Sequence, residues 1–207
     1  TPLTGIIGNS SLFLESQNDL SSTEQRTIMT NIYEDSNWLL NMVENLLSVT
    51  RIQGDSLSIN TTEEPVEEVV GEALEKLKKR YPDAAIRVKI PEEFLMIPMD
   101  AVLIEQVTIN LLENAIVHSG SILPIDFIVE DHPEHVSFIV RDYGKGLSEE
   151  KLQNLFETGT YNNSRSSDSR KGMGIGLSIC KTIITAHHGT LNGRNHAEGA
   201  EFCFTLP

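Results

Sequence analysis

Three short groups of residues in this chain have the types and spacing of a ligand site. Asn110-Leu-Leu-Glu-Asn114-Ala sets two carboxamides on one face of a helix that Val107, Leu111 and Ala115 pattern for burial. Such a pair either caps backbone groups and bonds to itself, or offers an oxygen to Mg²⁺ that also bridges nucleotide phosphates. Asp142-Tyr-Gly144-Lys-Gly146 ends an alternating strand. Its glycines open backbone conformations closed to other residues and let a planar ligand come near. Its carboxylate either caps the turn or accepts from an amino group such as the adenine amine. Gly172-Met-Gly174-Ile-Gly176-Leu177 opens a helix directly after a polar stretch containing Arg165, Arg170 and Lys171. Free N–H groups at a helix N-terminus, approached closely through glycine, suit phosphate. The spacing is neither the dinucleotide fingerprint nor a Walker loop.

The elements that must position these groups follow from the hydrophobic pattern. From Ser22 to about Arg51, Ile28, Ile32, Leu39, Met42, Leu46 and Val49 recur at a 4,3 spacing interrupted by Asp35, which predicts a long helix with a bundle-type seam. Leu3, Ile6, Ile7, Phe13 and Leu14 predict a shorter amphipathic helix before it. Ser21, Ser22 or Thr23 is available as the cap of the long helix. A lone helical hairpin leaves its seam exposed, so a second copy is expected to complete a four-helix bundle as a homodimer. After Gly54 the pattern changes, and the chain is expected to divide into a hairpin at 1–53 and a second domain at 54–207.

In the second domain the pattern predicts strands near Leu57–Asn60, at Ile86–Ile90, Phe94–Ile97, Ile125–Glu130, Val136–Arg141, Thr190–Arg194 and Phe202–Leu206. Helices are expected over Pro65–Tyr81, Asp100–Val117 with Asp100 as N-cap, Ser148–Leu155, and from the glycine-rich segment to His187. Together these describe an α+β two-layer sandwich with helices on one face of a mixed sheet.

A formal charge of -14, from 30 acidic against 16 basic residues, repels a phosphate backbone and argues against nucleic acid as a partner. An isolated nucleotide remains compatible, because a few N–H groups, cations and a metal overcome the net field locally. With 39% apolar and 22% charged residues the chain has the composition of a folded globular protein. Cys180 and Cys203 form no disulfide framework and are expected as buried free thiols. No apolar run approaches the roughly 18 residues of a membrane span. The opening TPLTGI reads as the middle of a helix, so a fragment of a longer, cytoplasmic region is expected.

The order of these groups, with Phe156 between the second and third, resembles the sensor histidine kinases, whose N, G1, F and G2 boxes match these positions. Thr1-Pro2-Leu3 resembles the tail of that family's phosphoacceptor motif, and the closing Ala-Glu-Phe-Cys-Phe-Thr-Leu-Pro also fits. Glu67-Glu-Val-Val-Gly-Glu-Ala-Leu74 and the asparagine motif look most like the Kdp-type potassium-response sensors. The resemblance implies a GHKL-type ATP-binding fold, ATP and Mg²⁺ as cofactors, and autophosphorylation of a histidine followed by transfer to a response-regulator aspartate. It implies Asn114 as the Mg²⁺ ligand supported by Asn110, Asp142 on the adenine amine, and Gly144, Gly146, Phe156, Arg170, Lys171, Gly172, Gly174, Gly176 and Leu177 around the nucleotide. Residues 160–171 would form a mobile lid. Thr1 matches the position that orients water in hydrolysis of the partner's phosphoaspartate. The acceptor histidine would precede Thr1, and any membrane anchor would lie in parts of the parent outside this chain.

Two positions depart from the family pattern: Val117 stands where a lysine is usual, and the region of Phe156 lacks a second aromatic. Both bear on the grip on phosphate, and Val117 together with the sparse lid leaves as an alternative a nucleotide-binding dimeric docking scaffold with weak catalysis. The gyrase, Hsp90 and MutL group of ATPases shares the asparagine and Asp-x-Gly-x-Gly elements but does not need the helical hairpin. The six histidines are expected at surface or loop positions, with spacings that suggest no metal site.

Overall fold

The computed structural model describes residues 2–16, 19–52, 59–156 and 175–207. Contacts divide the chain into two compact units, Thr1–Ser48 and Val49–Pro207. The expected boundary at 53/54 falls among residues 53–58, outside the described residues.

Two helices, α1 (Pro2–Ser16) and α2 (Ser22–Ile52), make up the first unit. Of the three candidate caps for α2, Ser21 takes the role. Glu24 N–H donates to Ser21 Oγ at 3.3 Å while Ser21 N–H donates to Glu24 Oε2 at 2.9 Å, a reciprocal capping box. A Cβ on Gly5 would lie 2.2 Å from Asp35 Oδ2, so the helices run back alongside each other and the polar break in the α2 seam faces the smallest residue of α1. Among the described residues of this unit only Ile28 is buried, while Leu3, Ile7, Leu14, Met29, Tyr33 and Leu40 are exposed.

The second unit runs β1 (Thr62–Pro65), α3 (Val66–Arg80), β2 (Ile86–Lys89), β3 (Met96–Met99), α4 (Ala101–His118), β4 (Ile125–His132), β5 (His135–Arg141), α5 (Glu149–Gln153), α6 (Ile175–Ala186), β6 (Thr190–His196) and β7 (Gly199–Leu206). Five strands form a mixed sheet in the order β2-β4-β5-β7-β6, with β2 parallel to β4 and the other pairs antiparallel. The α+β sandwich expected from the pattern is therefore present, with α4 and α6 packed on the sheet and α3 against α4.

Strand positions moved where pairing overrode local pattern. No strand covers Ile59 and Asn60, and Leu57 and Ser58 lie outside the described residues; the first strand is β1, paired with β3 from Thr62↔Met99 to Pro65↔Met96. Its partner shifts from the expected 94–97 to 96–99, because Ile97 and Met99 are the residues that reach the core while Phe94 stays 75% exposed. The sheet contributes Phe127, Phe138 and Phe204 to the core, the last two stacked at 4.5 Å between centroids. Against it α4 buries Leu103, Ile104, Val107, Leu111, Leu112 and Ala115. Asp100 caps α4 as expected, accepting from Leu103 N–H at 3.2 Å.

On the opposite face of the sheet, period-two alternation brings five charged residues into one row. Arg87, Asp126, Arg141, Glu201 and Arg194 are direct neighbours in the register across all five strands. Arg87 Nε donates to Asp126 Oδ1 at 2.6 Å. Glu201, 2% exposed, accepts from Arg141 Nε at 2.8 Å and from Arg194 Nε at 2.7 Å. Burial alone would raise the Glu201 carboxyl, but hydrogen bonds and charge from the two guanidinium groups outweigh it and hold the carboxyl below its ordinary range.

Candidate functional site

Where β5 ends, the antiparallel ladder gives way to a turn that presents one carboxylate. Asp142 is 7% exposed, and its Oδ1 accepts from Gly144 N–H at 2.8 Å, the hydrogen bond of an Asx turn. The turn-capping role thus occupies one oxygen, and no described donor reaches the other. Gly144 is needed because a Cβ there would lie 2.1 Å from the Ser119 carbonyl oxygen at the end of α4. Gly146 has φ +68, a left-handed conformation that favours glycine.

α4 brings the asparagines to the same neighbourhood. Asn110 and Asn114 are both half-buried on this helix. Asn110 donates through Nδ2 to the sulfur of Cys180 at 3.7 Å, so the carboxamide is anchored on α6. A Cβ on Gly176 would meet Asn110 Cγ at 4.0 Å, which places the start of α6 beside the same side chain. Leu177 packs on the core. The Asn114 carboxamide has no hydrogen-bond partner among the described residues. An amide oxygen so placed suits a hard cation such as Mg²⁺, which takes oxygen ligands. The three groups that are separate in sequence therefore share one helix as scaffold: α4 carries the asparagines, abuts the Asp142 turn at Ser119 and contacts the entry of α6 at Asn110.

Phe156 lies beside α6, with Lys181 Nζ 5.6 Å from its ring centroid, a cation–π contact. Val117 is 44% exposed at the end of α4. The remaining expected site residues, Thr1, Arg170, Lys171, Gly172 and Gly174, and the 160–171 segment lie outside the described residues.

Pattern reading missed three residues around this site. His187, expected at the surface, is 3% exposed: its Nε2 accepts from Asp100 N–H at 3.0 Å and its Nδ1 donates to Ile183 O at 2.8 Å. It ties the end of α6 to the cap of α4, a contact across 87 positions that no local pattern encodes. Asn195 and His196 grip the Asp142 turn from β6. Of the two thiols, Cys180 is buried as expected while Cys203 is half-buried. Among the described residues no group of three or more His, Cys, Asp or Glu side chains is arranged to hold a metal ion, and no described helix is long and apolar enough to cross a membrane.

Comparison with known proteins matches the histidine kinase-, DNA gyrase B- and HSP90-like ATPase family over residues 99–207 and the His Kinase A (phospho-acceptor) domain over residues 1–55. Sensor protein KdpD of Clostridium acetobutylicum is 40% identical over 208 residues, covering 100% of this chain and 23% of that protein. The chain thus spans less than a quarter of that curated relative's length. Histidine kinase ThkA, solved in complex with the response regulator protein TrrA, superposes with a TM-score of 0.71 at 24% identity, covering 100% of this chain and 57% of that one. Full-length ShkA, solved in complex with AMPPNP, gives a TM-score of 0.70 at 20% identity, covering 100% of this chain and 43% of that one. At these identities the two structures establish the fold. With both family models matched in one chain and the expected architecture in place, the chain belongs to the histidine kinase-, DNA gyrase B- and HSP90-like ATPase family, in the sensor histidine kinase branch that joins this domain to a His Kinase A hairpin.

Proposed function

We propose that this chain is the catalytic core of a cytoplasmic sensor histidine kinase region, which uses Mg-ATP to phosphorylate a histidine and passes the phosphoryl group to a response-regulator aspartate. The observation that carries this reading is the convergence on α4: the Asn114 carboxamide, without a partner among the described residues, the Asn110–Gly176 contact and the Asp142 turn against Ser119. Asp142 offers its second oxygen to the adenine amine, Gly144 and Gly146 let the turn pack closely against Ser119 and Asn195, and the N-terminal end of α6 is the end that suits phosphate. Asn114 offers a carboxamide oxygen to Mg²⁺, held in place by a helix whose buried face is apolar. Bound ATP and Mg²⁺ supply the phosphoryl group and the charge neutralisation, so the protein's task is chiefly positioning.

Functionally we divide the chain at 53/54, with the hairpin serving dimerisation and regulator docking. The exposed Leu3, Ile7, Leu14, Met29, Tyr33 and Leu40 support a second copy as the cover for this unit. Sedimentation equilibrium reads that expectation, and a monomer at every concentration would remove it.

Titrating ATP into the protein with Mg²⁺ and then with EDTA tests the main reading. Saturable binding strengthened by Mg²⁺, with that gain lost in Asn114→Ala, is expected. Nucleotide binding without any Mg²⁺ dependence contradicts the assignment of Asn114. Val117, 44% exposed where the resembled family usually carries a lysine, favours a second reading, a docking scaffold with weak catalysis; absence of saturable Mg-ATP binding at millimolar nucleotide would select it.

A further inference from the structure

The Asp142 turn is not held by its own strand. The β5–β7 ladder ends at Arg141↔Glu201, and Asp142 N–H makes one more backbone bond, to Ala200 O at 2.9 Å. Beyond that point two side chains from the end of β6 take over. His196 Nε2 lies 2.6 Å from Asp142 O. A carbonyl only accepts, so Nε2 carries the proton, and Nδ1 is then the acceptor that meets Glu198 N–H at 3.5 Å. The ring is fixed from the side by Tyr143, edge-on at 5.6 Å between centroids and 86° between planes. Asn195 makes two bonds to a single residue: Leu147 N–H donates to its Oδ1 at 2.7 Å and its Nδ2 donates to Leu147 O at 2.7 Å. Its carboxamide thereby stands in for a strand partner, bracketing the left-handed Gly146 between Asp142 and Leu147.

We infer that Asn195 and His196 are positioning residues for nucleotide base recognition, acting through the backbone of the Asp142 turn. One clamps each end of the segment, at Asp142 and at Leu147, so the direction of the Asp142 carboxylate is set from outside the turn. With Oδ1 engaged by Gly144 N–H, Oδ2 is the oxygen that no described donor reaches and the one we assign to a base amine; a small rotation of the Asp142 peptide swings it away. A hydrogen bond tolerates little misalignment before it weakens. The inference rests on the proposed ATP reading, and it predicts a specific signature: loss of discrimination between purines rather than a general loss of binding.

The test compares Mg-ATP with Mg-ITP, whose base carries a keto oxygen where adenine carries its amine, on wild type, His196→Ala, Asn195→Ala and His196→Gln, with thermal unfolding measured for each. The alanine variants are expected to lose about tenfold in ATP affinity, the worth of one charge-assisted hydrogen bond, with ITP affinity nearly unchanged. His196→Gln, which retains an N–H donor toward Asp142 O, is expected to restore most of the ATP preference, and it serves as the milder variant should an alanine variant fail to fold. Equal losses for ATP and ITP, or an unaltered preference in the alanine variants, would overturn the positioning role while leaving the ATP reading intact. A wild-type protein that binds neither nucleotide would overturn both.

Discussion

Asn110 donates its carboxamide N–H to the sulfur of Cys180 at 3.7 Å, joining α4 to α6 inside the first half of the latter helix. Cys180 is fully buried, and burial pushes its thiol up to about 12, with the Asn110 bond opposing that rise. A thiol in this state holds almost no thiolate at neutral pH and is inert in the folded chain. Iodoacetamide at pH 8 is therefore expected to leave Cys180 unmodified until the protein is unfolded, as read by mass spectrometry. Alkylation of Cys180 at the rate of a free peptide thiol would show that the α4–α6 seam opens.

Thr108 sits in the same helix as Asn110, fully buried, with an Oγ1 that has no hydrogen-bond partner among the described residues. A buried hydroxyl without a partner carries a desolvation penalty that a methyl of similar size avoids. Thr108→Val is expected to raise stability by about 1 kcal/mol in urea unfolding, with nucleotide affinity unchanged. A destabilised variant would mean that the hydroxyl has a partner in solution.

How much of this was legible in the sequence depended on the range of the interaction. The Asp100 cap is local and visible in residue type and spacing, while for α2 the same signals leave Ser21 as one of three candidates. The asparagine, aspartate and glycine groups were each ambiguous alone, and their meaning lay in their order along the chain. What stayed hidden is long-range. The Asn195–Leu147 bonds span 48 positions, and the Asp142–His196 bond spans 54. A histidine such as His187 reads as a loop residue until the fold buries it against Asp100. The first strand is hidden for the same reason: β1 is where β3 pairs with it, and that pairing is a tertiary choice.

Two buried groups give stability a pH dependence of the same sign in separate windows. Burial lowers the His187 value from the usual 6.5, against the backbone bond to Ile183, so the unfolded chain binds more protons there and stability is lost as pH falls below 6.5. Glu201 has its value lowered from 4.5, so its contribution is present above 4.5 and is lost as pH falls through the lowered folded value. Urea unfolding from pH 8 to pH 3 is expected to show both declines, with the first absent in His187→Gln and the second flattened in Glu201→Gln. At pH 7, Glu201→Gln is expected to cost about 1–3 kcal/mol. The low end is expected, because the Arg194 side chain is 75% exposed and its charge is screened. Stability that rises on acidification would contradict the assignment.

Asp142 is the acceptor of the adenine amine in the proposed site, with the turn and α4 built to hold it. Calorimetric titration of Mg-ATP into wild type and Asp142→Asn tests this most directly. Saturable binding to wild type is expected, weakened by about tenfold or more in Asp142→Asn because the charged acceptor is gone. No saturable binding to wild type at millimolar nucleotide, or equal affinity for the two proteins, would contradict it.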